Sequence, residues 1–240
     1  MEFGLLAAGL FPKLLSNEHL SDLNVPHPRR LHLDRSWMAV AYRYRSCAEH
    51  NEEFKALLND ASELWKEWGS DEEQNYKLER CLYGFFMNGL SIFESFVFCL
   101  NFVGDALQPG SFPNVNAPKK IKLENTVEAF KAAFPHLAIT TRLAALAQQK
   151  DYQRIDGVRN ILAHRLGGRR NVSSSNVVVR DGTFNHTRKE VWHLPGMSDE
   201  LIFDEEMTQR CLNGITNQLT SLVEASIELL QQKNLRKAPP

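Results

Sequence analysis

A chain of 240 residues with 43% hydrophobic and 24% charged side chains is long enough to bury a proper core, as one large domain or two small ones. Its 28 basic and 29 acidic residues leave a formal charge of -1, which excludes recruitment of nucleic acid by a global basic field and confines any such attraction to a local patch. Cys47, Cys81, Cys99 and Cys211 are far apart and form no CxxC pair, so a zinc ribbon or thiol-exchange motif is excluded and a reducing, cytoplasmic setting is the simplest expectation.

In chain order, Met1 to Leu15 is apolar but lacks the basic leader and cleavage pattern of a secretory signal, and reads as a short packing helix. Residues 17–34 carry Pro26, Pro28, Arg29 and Arg30 and read as a connecting loop, which sets an N-terminal segment 1–34 before a main domain 35–240. From Ser36 to Trp68 the residues Met38, Tyr42, Phe54, Leu57, Leu58, Leu64 and Trp65 recur at helical intervals. They predict one long amphipathic helix, with Glu49 to Asn51 the place where it would break.

Gly69-Ser70-Asp71 supplies a stop, a turn and a cap, and Glu72 and Glu73 suit the positive end of a second long helix reaching about Leu107. Its stretch from Cys81 to Val103 approaches membrane-span length, but Asn88, Ser91, Glu94, Ser95 and Asn101 favour a helix at the centre of a bundle over a membrane span. Gln108 to Lys122, with three prolines and three lysines, reads as a non-helical surface loop. Shorter helices are expected over Glu124 to Phe134 and Thr140 to Lys150, split by Pro135.

Asp151 is placed to cap a further helix running to Leu166, with Gly167-Gly168 as its end. Asn171 to Asn176 is polar, whereas Val177 to Val179 and Glu190 to Leu194 have strand character around an Asp181-Gly182 turn, and Leu201 to Phe203 adds a third short strand. The expectation is a small β-hairpin insertion at about 176–203. From Asp204, the positions Met207, Cys211, Ile215, Leu219, Leu222 and Ile227 mark a final amphipathic helix.

Chemistry concentrates on the helix after Asp151. At about 100 degrees per residue, Ile155, Val158, Leu162 and Leu166 form an apolar stripe, while Gly157, Asn160 and His164 share nearly the opposite face. Arg159 lies about 140 degrees round from His164, within reach of a shared pocket through its long side chain. Arg154, Arg165, Arg169 and Arg170, with Arg142 and Lys150, make the stretch locally basic and are the candidate substrate-binding residues for a phosphate backbone.

Arg159, four intervening residues, then His164 resembles the hallmark of the HEPN superfamily of helical-bundle proteins, and Asn160 fits the polar position that often follows the arginine there. The resemblance implies an all-α multi-helix bundle, with the hairpin as an insertion, and a metal-independent RNA endonuclease without cofactor. It further implies a homodimer with two copies of the motif facing one cleft. A toxin or defence role, with an antitoxin or regulatory protein as partner, is implied by the resemblance alone. Chemistry gives the pairing a reason, because RNA cleavage without a metal needs a base for the 2′-OH, an acid for the 5′-oxygen and positive charge on the phosphorane.

Other readings remain open at this point. The family also contains non-catalytic members, so a binding module for nucleic acid or protein is the alternative. Glu94, read as a carboxylate within the apolar core helix, is a natural partner for Arg159, whether for structure or to anchor an active-site arginine. Gly84, Asn88, Ser91 and Ser95 form a stripe that either borders a pocket, with Asn88, Ser91 and Glu94 as supporting residues, or lets two helices approach. His136, His186 and His193 have no zinc-ligand spacing, and no phosphate loop, HExxH or GxSxG is present.

Overall fold

A computed structural model describes residues 20, 23–60, 72–164, 168–178, 184–194 and 202–236. The protein is mostly helical, with six α-helices among the described residues: α1 (His27–Asp60), α2 (Glu72–Leu107), α3 (Leu123–Ala133), α4 (Ala138–Leu146), α5 (Lys150–His164) and α6 (Glu205–Arg236). A small antiparallel sheet, β1 (Arg169–Val178), β2 (Phe184–His193) and β3 (Ile202–Phe203), lies between α5 and α6 in the chain. The expected helix over Met1 to Leu15, the Gly69-Ser70-Asp71 stop and the Asp181-Gly182 turn lie outside the described residues.

Helix α1 begins at His27, inside what the prolines suggested was a loop, and the 34/35 boundary falls within it. The reason is positional: Pro28 sits in the first turn, where a missing N–H and a fixed φ cost nothing. Arg29 and Arg30 are therefore helical, pairing with Asp105 and Asp34 respectively. The helix also runs unbroken through Glu49 to Asn51, where Asn51 is fully buried and its Nδ2 donates to Gln209 Oε1 at 3.1 Å.

Helix α2 is the centre of the bundle, with Phe85, Phe86, Phe93, Phe96 and Phe102 at most 1% exposed. It is the one described helix long and apolar enough to cross a membrane, yet 72% of its most apolar window is buried inside the protein. Gly89 marks the tightest junction: a Cβ there would lie 3.1 Å from Ile215 of α6, 3.5 Å from Ile155 of α5 and 3.8 Å from Cys47 of α1. Four helices thus meet where α2 carries no side chain.

Between α2 and α3 the segment expected to be non-helical winds two short 3-10 turns, Pro113–Asn116 and Pro118–Lys120, each with a proline at its start. The sheet begins at Arg169, earlier than the expected 176, because the polar run Asn171 to Asn176 pairs in register with β2, from Arg169 opposite His193 to Val178 opposite Phe184. Polar residues make a strand here because the partner strand satisfies their backbone. β3 is the expected third strand, pairing Phe203 with Trp192.

One end of the sheet is sewn into the core, with Trp192, Leu194 and Phe203 at most 1% exposed and the Phe203 ring 5.3 Å from that of Phe86. A Cβ on Gly168 would overlap the Trp192 indole, so this glycine admits the ring, while residues 165–167, over which α5 was expected to end, lie outside the described residues. Helix α6 starts where Asp204 Oδ1 accepts the Met207 backbone N–H at 2.8 Å, an N-cap bond.

Candidate functional site

Helix α5 is held by the stripe its spacing predicts. Ile155 and Val158 are buried at 0% and 1% exposure, and Leu162 packs partly buried on the same core. Asp151 lies within the first turn, where its charge suits the helix dipole, rather than capping it. Its carboxylate meets the close crossing with α6, since a Cβ on Gly214 would lie 2.6 Å from Asp151 Oδ2.

On the opposite face of α5, a Cβ added at the half-buried Gly157 meets no described residue within 4 Å, and Asn160 is exposed. His164 occupies the last residue of α5 on that same helical face, one heptad beyond Gly157. The side chains of His164, Arg169 and Arg170, and Arg165 as a whole, lie outside the described residues.

Arg159 is half-buried at 26% side-chain exposure between the two faces. Its Nη2 donates to Asp156 Oδ1 at 3.4 Å and stands 3.9 Å from Glu94 Oε1, an ion-pair distance longer than a hydrogen bond. Glu94 is thus the arginine's neighbour, but it is not a core carboxylate: its side chain is 57% exposed, and it lines a groove. Ser91 Oγ donates to Glu94 Oε2 at 3.3 Å. Arg154, the remaining candidate for phosphate contact, is turned to Asp151 at 3.8 Å.

Tyr152, two turns before Arg159 on the same side of α5, packs edge-on to Phe93 with ring centroids 5.6 Å apart. Burial pushes its phenol up to about 12, and Asp156, Glu94 and Glu124 push it the same way while Arg159 acts against them. These groups share one electrostatic environment. Of the small-residue stripe on α2, Asn88 Nδ2 donates to Ser46 Oγ at 3.2 Å and to Gly84 O at 2.7 Å, and Gly84 makes room for His50. The stripe mainly lets α1 and α2 approach, and Ser95, with Glu94, borders a cavity.

That cavity is an open groove of about 690 Å³ between α1, α2, the 3-10 segment and the starts of α3 and α5. Sequence reasoning missed it, because His32 was read as loop and the α1 residues His32, Arg35, Ala39 and Arg43, which line it, were not recognised as one face. The signal was their near-heptad spacing.

The four cysteines are free and buried, and burial pushes each thiol up, to about 12 for Cys81 and Cys99 and to about 11 for Cys211. They behave as small hydrophobes. Among the described residues one group brings metal-type donors together, His50, Glu53 and Cys81, with ligand atoms within 4.8 Å of one another. Glu53 is already engaged by Arg80, which makes this an ion pair at the α1–α2 junction.

Comparison of the chain with protein-family profiles, with characterised proteins and with solved structures finds no match in any of the three. The class of protein that the fold defines is therefore a mostly helical bundle carrying a small antiparallel sheet.

Proposed function

We propose that the protein is a metal-independent RNA endonuclease of HEPN type, acting as a homodimer in which two copies of α5 face one cleft. The observation that carries this reading is the face of α5 opposite Ile155 and Val158: among the described residues nothing lies within 4 Å of a Cβ at Gly157, and Asn160 is exposed, on the helical face that position 164 shares. A glycine with open space above it permits close approach of a second helix.

In such a dimer one His164 takes the 2′-OH proton and its twin protonates the departing 5′-oxygen, Arg159 donates to the phosphate oxygens, and Asn160 orients the imidazole or the scissile phosphate. The 2′-oxygen bonds to phosphorus as the bond to the 5′-oxygen breaks, leaving a 2′,3′-cyclic phosphate and a 5′-OH. The pairing of Arg159 with Asp156 and Glu94 fits an arginine positioned in advance, with exposed partners it can exchange for phosphate. The same pairing also favours a second reading, a non-catalytic binding module in which Arg159 stays with its carboxylates.

Cleavage of a single-stranded RNA in EDTA tests the first reading. Cutting that persists in the chelator and stops when the 2′-OH at the cut site is replaced by hydrogen is expected. Equal cutting of DNA removes the mechanism.

A further inference from the structure

The groove beside α5 has a charge the whole chain lacks. Arg35, Arg43, Lys119 and Lys122 line it against two carboxylates, Glu94 and Glu124, in a chain of formal charge -1. Elsewhere on α1 the arginines are neutralised, Arg29 by Asp105, Arg30 by Asp34 and Arg45 by Glu49. Arg35, Lys119 and Lys122 form no ion pair among the described residues, and Arg43 is anchored by Nη1 donating to Ser91 O at 3.1 Å. Cations left without partners around a concavity concentrate a positive potential there.

The lining is also aromatic. His32 is exposed on one side and lies stacked on Phe102, ring centroids 5.5 Å apart and planes 20° from parallel, with Phe98 edge-on at 6.1 Å. Phe93, Phe98 and Tyr152 line the groove wall. A cationic channel combined with ring faces is the chemistry that holds single-stranded nucleic acid, phosphates on the cations and bases on the rings. From His32 to Arg43 the α1 wall spans about 16 Å.

The groove leads to the motif helix. Glu94 lines it and stands 3.9 Å from Arg159 Nη2, and Tyr152 lines it from α5 itself. We propose that the groove holds the single strand flanking the cut, with Arg35, Arg43, Lys119 and Lys122 on consecutive phosphates and one base against His32. This rests on the ribonuclease reading for its ligand and adds a binding track, distinct from the basic stretch around α5, that fixes which side of the cut is gripped.

The test uses the full chain and a fluorescent 2′-O-methyl oligoadenylate, which cannot be cut, read by anisotropy. Four phosphate contacts on a single strand give a log–log salt slope of about -2.8, so affinity falls about 50-fold between 50 and 200 mM salt. Arg35→Gln with Lys122→Gln makes the slope shallower by about 1.4, and His32→Ala weakens binding about fivefold or more. Arg45→Gln, outside the groove, is the control and changes neither. Arg35 and Lys122 are exposed, so thermal melting of the double variant is expected to match the parent.

Unchanged binding in the double variant overturns the groove while leaving the nuclease reading intact. So does equal affinity for a duplex of the same length or for polyglutamate. Binding lost in the double variant, beside RNA cutting that is indifferent to His164→Ala, supports the groove and sinks the nuclease reading instead.

Discussion

Gly157 is a helical glycine with no described residue within 4 Å of an added Cβ, which makes Gly157→Ala a sharp probe of the face on which the functional proposal depends. Glycine in a helix interior costs about 0.5–1 kcal/mol relative to alanine, because it loses more backbone freedom on folding. The residue is on an ordinary helical φ, since Gly110 is the one described glycine at positive φ. With open space at the Cβ position there is no opposing clash, so the substitution is expected to stabilise the monomer by that amount, a rise of about 1–4 °C in Tm.

Urea unfolding at a concentration where the chain is monomeric is the assay. Gly104→Ala is the matched control: there the Cβ would overlap the Phe112 ring, itself 1% exposed, and overpacking of this kind costs about 1–3 kcal/mol. The larger Gly157→Trp leaves the monomer folded but fills the space a second copy would use, and sedimentation equilibrium should show it monomeric where the parent is dimeric. A destabilised Gly157→Ala monomer would refute the reasoning, because something in the chain itself would then cover that face.

The remaining predictions concern the support of α5 and the groups around it. Ile155→Ala removes a fully buried side chain that pins the helix under Gly89 and should cost about 2–5 kcal/mol in urea unfolding, with RNA cutting impaired in the fraction that stays folded. The folded protein holds the Tyr152 proton up to about 12 against an ordinary 10, so stability should be intact below pH 10 and fall as pH rises from 10 to about 12. Tyr152→Phe should flatten that fall, measured by urea midpoints across the range. The four buried thiols should react with a thiol reagent only on unfolding, and rapid labelling of Cys47 or Cys99 in the native protein would contradict their packing.

Much of this fold was legible because helices of the bundle bury one face each. The all-round apolar run of α2 announced a central helix, and the 3.6-residue period of Ile155, Val158 and Leu162 announced the packed side of α5. What escaped is what period does not carry. Pro26 and Pro28 resemble loop signals until the second is seen in a first helical turn, and the polar strand from Asn171 to Asn176 exists only because β2 lies beside it.

The candidate site divides the same way. Spacing put Gly157, Asn160 and His164 on one face, and the cost of a carboxylate in an apolar helix suggested Glu94 as the partner of Arg159, but neither could tell that Glu94 is more than half exposed. Nor could it show that residues from five helices and a 3-10 segment line a basic groove next to it. Those facts belong to tertiary packing, in which residues more than a hundred positions apart become neighbours.

The central claim is that two copies of His164 cut RNA by transfer to its own 2′-OH. Incubation of a mixed RNA pool with the parent chain and, separately, with His164→Ala, followed by analysis of product ends, addresses it most directly. The expected result is fragments with 2′,3′-cyclic phosphate and 5′-OH ends from the parent and none from the variant. Products with 5′-phosphate ends, or equal cutting by both proteins, would contradict it.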